Sequence, residues 1–326
     1  MKLILKLLGG LLLLVVIAAG AGVAYLFSAF PKADPPASVT IEATPERLAR
    51  GRYLAENVSG CVTCHSQRDW TKFAGPVKPG TEGAGGQRFA DGVPGVLYSK
   101  NITPAAVGSW TDGELIRAIT GGVSRDGTPL FPLMAYPRFG KMAEDDVHAI
   151  VAYVRSLKAV DSVVPNRTLT FPMNLITRTI PEPGRYGARP PVTDTVAYGE
   201  YMVNAALCAD CHTPIDNRGQ ALPGREFSGG MEFTQLGYRA RSANITPDAD
   251  TGIGSWTEQQ FIDKFKAFEQ PDDHTLSDAE RRQFTEMPWS TYAGMTREDL
   301  SAIYAYLRTL KPVVNRVTTH PDAVGR

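Results

Sequence analysis

The chain has 326 residues, 43% hydrophobic and 21% charged, with 34 lysines and arginines against 34 aspartates and glutamates. Those proportions belong to a globular protein long enough for two domains, each with a core. The zero balance excludes the basic excess that nucleic-acid binding requires, and leaves electrostatic docking to local patches.

After Lys2 and Lys6 the chain runs without a charge from Leu7 to Phe30. As a helix rising about 1.5 Å per residue, residues 7–30 can span a hydrocarbon core about 30 Å thick with some tilt. The lysines precede it, so the positive-inside rule puts residues 1–6 in the cytoplasm and everything after Phe30 outside. The expectation is a single-pass anchor in a bacterial inner membrane, with the rest of the chain in the periplasm. The alternative is a signal peptide cleaved at Ala19-Gly20-Ala21. Apolar residues continue past that site through Val23, Tyr25, Leu26, Phe27 and Phe30, beyond the ~7–15 residues of a signal core. Both readings export the chain. Residues 31–44, with Pro31, Pro35 and Pro36, read as an extended tether standing off the membrane.

From Pro45 the pattern becomes helical, with Thr44 placed as cap, Pro45 at the first position, and Leu48 and Leu54 facing inward. This helix delivers the chain to Cys61-Val62-Thr63-Cys64-His65. Two thiols two residues apart, followed at once by histidine, form the attachment sequence for c-type haem. The cysteines add across the vinyl groups, and the histidine ligates the iron. A zinc or thioredoxin-like use of Cys-x-x-Cys does not need that adjacent histidine. The pattern returns at Cys208-Ala209-Asp210-Cys211-His212, and the two motifs use all four cysteines. Two covalently bound haem c groups are therefore expected, on Cys61, Cys64 and His65 and on Cys208, Cys211 and His212.

Beyond the first motif, Gly75 to Gly95 is too rich in glycine for helix and reads as loop. Ser99-Lys100-Asn101-Ile102-Thr103-Pro104 and Gly108-Ser109-Trp110-Thr111 follow, and Thr111 with Glu114 forms a capping box. The helix it opens carries Leu115, Ile116 and Ile119 and ends at Gly121-Gly122. Leu130 to Pro137 is a short loop, and Met142 to Leu157 has helical periodicity. The whole order then repeats. Gly199-Glu200-Tyr201-Met202 answers Gly51-Arg52-Tyr53-Leu54, Ser242 to Pro247 answers Ser99 to Pro104, and Gly254 to Thr257 answers Gly108 to Thr111. Met287-Pro288-Trp289 answers Met134-Ala135-Tyr136. The offset drifts only from 143 between Ser99 and Ser242 to 153 between Met134 and Met287. The division is then a domain at 45–158, a proline-rich linker at 159–192 packing against both copies, a second domain at 193–312 and a tail at 313–326.

On these elements each half resembles a class I cytochrome c domain, over about 45–157 and 193–310. The resemblance implies a mainly α chain: an N-terminal transmembrane helix followed by two tandem class I cytochrome c domains. The Asn-Ile-Thr-Pro and Gly-Ser-Trp-Thr elements are similar to those of the cytochrome subunits of periplasmic alcohol and gluconate dehydrogenases. This chain differs in having two haem motifs rather than three and in its N-terminal anchor. Diheme cytochromes of the c4 type and diheme subunits of certain haem–copper oxidases are looser relatives.

The resemblance also implies a methionine opposite each histidine. Met134, held extended between Pro132 and Pro137, and Met287, before Pro288, occupy the expected place. Met142 and Met295 are the competitors, and are expected in the core. His148, His274 and His320 read as solvated or structural. Gly51 and Gly199 should let their helix approach Tyr153 and Tyr306, the crossing this family uses. Trp110 and Trp256 either shield a haem edge or are ordinary core residues. Histidine–methionine ligation leaves no open iron site and raises the potential. No nucleotide fingerprint, nucleophile elbow or His-Glu-x-x-His is present. The expected role is single-electron transfer between redox partners, whether a dehydrogenase, a quinol-oxidising complex or a terminal oxidase, rather than catalysis. The alternatives are a diheme enzyme of the peroxidase or thiosulfate dehydrogenase type and a fixed cytochrome subunit of a larger complex.

Overall fold

Lys2–Ala29 forms one unbroken helix, α1, with no buried residue; in this computed structural model residues 1–216, 219–270 and 274–323 are described. By length and composition α1 can cross a membrane. The chain turns extended at Phe30 and stays irregular to Ala43. The tether packs along the body. Ile41 N–H donates to Asp112 Oδ2 at 2.7 Å, the Ala37 backbone lies against Gly113, and Val39 and Ile41 pack on the core. Two apolar side chains at alternate positions give the tether a face to bury.

Helix α2, Pro45–Tyr53, begins as expected: Thr44 Oγ1 accepts from Arg47 N–H at 3.2 Å and Pro45 takes the first turn. It continues as a π-helical turn at Leu54–Val58 and leads through left-handed Gly60 into α3, Cys61–Cys64. Strands β1 (Arg88–Phe89) and β2 (Gly95–Tyr98) pair antiparallel inside the segment expected as loop. Short α4 (Pro104–Val107) follows, then α5 (Asp112–Gly121), whose Thr111–Glu114 capping box forms in both directions. Helices α6 (Tyr136–Phe139) and α7 (Glu144–Ser156) complete the half. Leu54, Val58, Met142, Val147, Ile150 and Val151 are fully buried among them.

The linker adds strand β3 (Thr168–Leu169) to β2, then forms α8 (Met173–Ile176) and a 3₁₀ turn at Thr177–Thr179. It was expected to pack on both copies. Among the described residues its hydrogen bonds to the rest of the chain fall on the first half and on Phe30, apart from the local turn in which Asp194 N–H donates to Pro191 O at 2.9 Å. The second half repeats the order: α9 (Thr195–Ala205), α10 (Cys208–His212), the hairpin of β4 (Glu232–Gln235) and β5 (Tyr238–Arg241), and α11 (Glu258–Lys266). Helix α12 (Asp278–Arg281) lies in an insertion. Helices α13 (Trp289–Tyr292) and α14 (Arg297–Thr309) then answer α6 and α7. Residues 313–322 are bound rather than a loose tail. Val313 bonds Thr246 and Asn244, Thr319 O accepts from Arg241 N–H, and Asp322 pairs with Arg239.

In both halves the first helix crosses the last at a glycine. A Cβ on Gly51 would overlap the Ala149 carbonyl and crowd Tyr153, and one on Gly199 would overlap the Ala302 carbonyl and crowd Tyr306. The two cores meet: buried side chains of both halves form one cluster. Each half lends a tyrosine to the other. Tyr201 OH donates to Asp146 Oδ2 at 2.5 Å and accepts from Ala143 N–H. In reverse, Tyr53 OH donates to Asp299 and accepts from Thr296 N–H. Asp146 is fully buried and also accepts from Arg50 at 2.8 Å and Arg189 at 2.7 Å. Burial alone would raise its carboxyl, but Arg50, Tyr201 and Arg189 outweigh that and hold it below the usual range.

Two predictions follow from this packing. Gly51→Ala and Gly199→Ala should each destabilise by about 1–3 kcal/mol or more, as overpacking does; unchanged denaturation midpoints would show that the crossings are not as close as described. Asp146→Asn should cost about 1–3 kcal/mol near neutral pH, because it takes the ionised acceptor from Tyr201 and from the partly exposed Arg50 and Arg189. A carboxyl depressed on folding stabilises above its unfolded value, about 3.9, and that contribution is lost as pH falls through the lower folded value. The gap between wild type and variant, read by denaturant titration, should therefore narrow below about pH 4; a constant gap would mean Asp146 is not ionised in the fold.

Candidate functional site

The π-helical turn and left-handed Gly60 bend the chain so that Cys61 and Cys64 sit one helical turn apart with His65 next. The His65 Nδ1 lies 2.7 Å from the Lys100 carbonyl. A carbonyl only accepts, so Nδ1 carries the hydrogen and Nε2 keeps its lone pair free for a metal. The Lys100 carbonyl is itself held. Asn101 Oδ1 accepts from Thr103 N–H at 2.8 Å and from its hydroxyl at 2.7 Å, while Asn101 Nδ2 donates to Val160 O at 2.8 Å. Gly85 N–H donates to His65 O at 2.7 Å. Gly85 has φ +72, and a Cβ there would strike the Lys100–Asn101 peptide, so only glycine fits between histidine and carbonyl.

The second motif repeats these bonds one by one. His212 Nδ1 lies 2.7 Å from the Ala243 carbonyl, and Gly229 N–H donates to His212 O at 2.7 Å. Asn244 accepts from Thr246 N–H at 3.0 Å and from its hydroxyl at 2.7 Å, and donates to Val313 O at 2.8 Å. Gly229 sits against the Ala243–Asn244 peptide as Gly85 does against its own. The carbonyls of Lys100 and Ala243 were missed in the sequence, where only their place before Asn-Ile-Thr-Pro marked them.

The four cysteines are free thiols, Cys64 and Cys211 exposed, Cys61 and Cys208 partly so. They are nonetheless enclosed by surrounding chain, as groups lining a recess are. This enclosure pushes Cys61, Cys208 and Cys211 up to about 12 and raises Cys64. It also lowers both histidines and so keeps them neutral, despite the carbonyl bond that opposes it. Among the described residues there is no cluster of three or more His, Cys, Asp or Glu that could hold a bare metal ion. Two thiols on one turn and an adjacent imidazole that keeps Nε2 for a metal are the donor set a covalently attached haem requires.

Met134 and Met287 are half-buried, while Met142 and Met295 are buried in the core, the latter pair as expected. The methionine loops are not extended by their prolines. Tyr136 N–H returns to Met134 O at 2.7 Å and Trp289 N–H to Met287 O at 2.8 Å, with Ala135 at φ −73, ψ 41 and Pro288 at φ −80, ψ 70 between them. Each is a tight three-residue inverse turn, and Pro137 begins α6 instead. His148 lies on α7 near Glu144, His274 bonds Glu280 and His320 lies by Thr319. Trp110 packs on the core, and Trp256 is about a third exposed with its carbonyl bonded by Tyr304.

The two motifs also touch each other's halves. Thr63, inside the first, shares a 2.6 Å hydrogen bond with Thr291 on α13. Asp210, inside the second, pairs at 2.7 Å with Arg138 on α6. Arg68, three residues past His65, pairs at 2.8 Å with Glu286, one residue before Met287. Tyr292 OH donates to Ala206 O beside the second motif at 2.7 Å.

Residues 196–311 match the cytochrome c family. Over 291 residues the chain is 28% identical to the cytochrome c subunit of the quinone alcohol dehydrogenase of Gluconacetobacter polyoxogenes, covering 84% of this chain and 58% of that one. It is 27% identical to the gluconate 2-dehydrogenase cytochrome c subunit of Pantoea cypripedii, with 87% and 65% covered. It is also 27% identical to the fructose dehydrogenase cytochrome subunit of Gluconobacter japonicus, with 86% and 56% covered. The chain thus spans between 56% and 65% of the length of these relatives. It contains a cytochrome c domain at residues 196–311 and is a homologue of the cytochrome c subunits of alcohol, gluconate and fructose dehydrogenases.

Proposed function

We propose that the chain is a membrane-anchored diheme electron-transfer subunit, carrying one haem c on Cys61, Cys64, His65 and Met134 and another on Cys208, Cys211, His212 and Met287. The observation that carries this is the bond-for-bond identity of the two histidine environments, because the first motif lies outside the residues that match the family. Bound there, haem supplies a one-electron couple at its iron. The chain's own part is to fix that couple. Each Nδ1–H···O bond sets the tautomer and orientation of its imidazole. Thr63–Thr291 and Arg138–Asp210 hold the two motifs side by side. Helix α1 tethers this body to the outer face of a bacterial inner membrane, with both motifs in the periplasm. Electrons would come from a dehydrogenase of the kind its relatives serve and pass to a quinol-linked complex or a terminal oxidase.

The purified, acid-extracted chain should exceed its polypeptide mass by two haems, and Cys61→Ala/Cys64→Ala should reduce that to one. A wild-type gain of a single haem would overturn the diheme reading. The oxidised protein should show the weak red-edge charge-transfer band of methionine ligation. Met134→Ala and Met287→Ala should each remove about half of it and lower one potential. Met142→Ala and Met295→Ala should leave the band intact and cost about 2–5 kcal/mol of stability. Loss of the band in either of the latter pair would reassign the ligand, and a high-spin haem in wild type would favour the peroxidase or thiosulfate dehydrogenase type.

A further inference from the structure

Between Arg167 and Arg178 the linker runs Thr-Leu-Thr-Phe-Pro-Met-Asn-Leu-Ile-Thr without a charge. It is anchored at both ends. Leu169 pairs with Gly95 of β2, and Thr177 is fully buried with its hydroxyl on Met173 O at 2.8 Å. Between those anchors Phe171 is 80% exposed and Ile176 43% exposed. A rigid segment that holds an aromatic and a branched aliphatic outward loses burial that a loop could recover by folding inward, unless something apolar covers them.

What lies beside it says what that is. Arg178 donates from Nη2 to the Phe30 carbonyl at 2.8 Å, and its guanidinium lies 4.4 Å from the centre of the Phe27 ring. Those two residues are the outer end of α1, so the segment is fixed at the level where the helix leaves the bilayer. Aromatic and aliphatic side chains flanked by arginines are the composition of a segment lying in the membrane interface, apolar atoms among the acyl chains and cations at the phosphates. We propose that residues 171–176 are seated in the outer leaflet of the phospholipid bilayer that α1 spans, giving the body a second membrane contact. This rests on the reading of α1 as a span. One helix with a tether leaves the body free to swing, whereas two points fix which face it turns to its partners.

The test uses the full chain in nanodiscs of phosphatidylethanolamine and phosphatidylglycerol. Its four native cysteines are taken up by haem, so a thiol-directed spin label attaches only to a new one. Single variants Phe171→Cys and Ile176→Cys are compared with Tyr25→Cys in α1 and with Val314→Cys, which is 75% exposed on the second half. The labels at 171 and 176 should resemble the Tyr25 label: readily relaxed by oxygen, which concentrates in lipid, with loss of relaxation by a water-soluble nickel chelate. Nickel accessibility equal to that at Val314, with Tyr25 shielded, overturns the lipid contact and leaves the span intact. Exclusion of both relaxants at 171 and 176 means protein covers them, and overturns it too. A nickel-accessible Tyr25 label overturns the span itself.

Discussion

Each half of the molecule is arranged to hold one hydrogen bond, from the motif histidine's Nδ1–H to a backbone carbonyl. A carbonyl in a free loop would move with it and let the imidazole turn. Here the peptide is clamped by an asparagine that bonds twice to the following threonine and once to the chain leaving the last helix, Asn244 adding a bond to Thr251. Asn101 and Asn244 are buried, so each unmade bond would leave a polar group unsatisfied at a cost of about 1–3 kcal/mol. Threonine and asparagine are thus bound to their positions by polar accounting, and the histidine inherits that rigidity. Through Val160 and Val313 the clamp reaches the end of the final helix, and through the glycine crossings it reaches the helix that precedes the motif. Histidine orientation and helix packing are therefore one constraint.

The same economy operates between the halves. The hydroxyl of Tyr201 both donates to Asp146 and accepts from the first backbone N–H before α7, and Tyr53 does the same at α14. A phenol that crosses the interface and finds both partners waiting satisfies a buried carboxylate and an orphan helix-terminal N–H at once. The exchange is reciprocal, so the halves relate by an approximate twofold axis, and that axis places Thr63 against Thr291 and Asp210 against Arg138. Adjacent motifs are thus a consequence of how the last helices are capped.

The parts legible in the sequence were those with a local cause. Thr44, Thr111 and Thr257 cap the helices they precede because a side-chain oxygen three residues from an N–H needs no tertiary help. Gly51 and Gly199 were readable as close approaches because each recurs at the same place in the repeat, where the resemblance to class I cytochromes c implies a helix crossing. The carbonyls of Lys100 and Ala243 were not, since every residue has one and only the fold selects which faces the ring. Repetition also could not say whether Tyr53 would meet its own half or the other. A duplicated sequence is silent on the partner, and the shared core followed from the answer. The bonds of 313–322 were not legible either, since Val313 and Asn315 donate from their backbone N–H to Thr246 and Thr251, distant threonines that only the fold brings near.

The duplication has not kept the two methionine loops equivalent, and the physics of their supports differs. The first is braced across the interface by Arg138–Asp210, an ion pair with both side chains 36% exposed, a geometry worth little in water. The second is braced by Arg68–Glu286, with Arg68 only 7% exposed. That guanidinium also stacks 4.0 Å from the Trp70 ring and donates to the Ala74 and Gly75 carbonyls. Beside it Trp289 packs on Phe265 and Phe268, and Phe268 stacks on Phe73 of the first half. Aromatic pairs of this kind add about 0.5–1.5 kcal/mol each beyond burial. The insertion that carries α12 returns to the same place, where Leu276 N–H donates to Thr71 O. Met287 therefore sits in a loop held from both halves, whereas Met134 follows an exposed Leu133 in a loop braced across the interface by the solvated Arg138–Asp210 pair and one bond from Asn204 Nδ2 to Arg138 O at 3.1 Å. Rigidity about the second methionine depends on the first half being folded, and the reverse dependence is weaker.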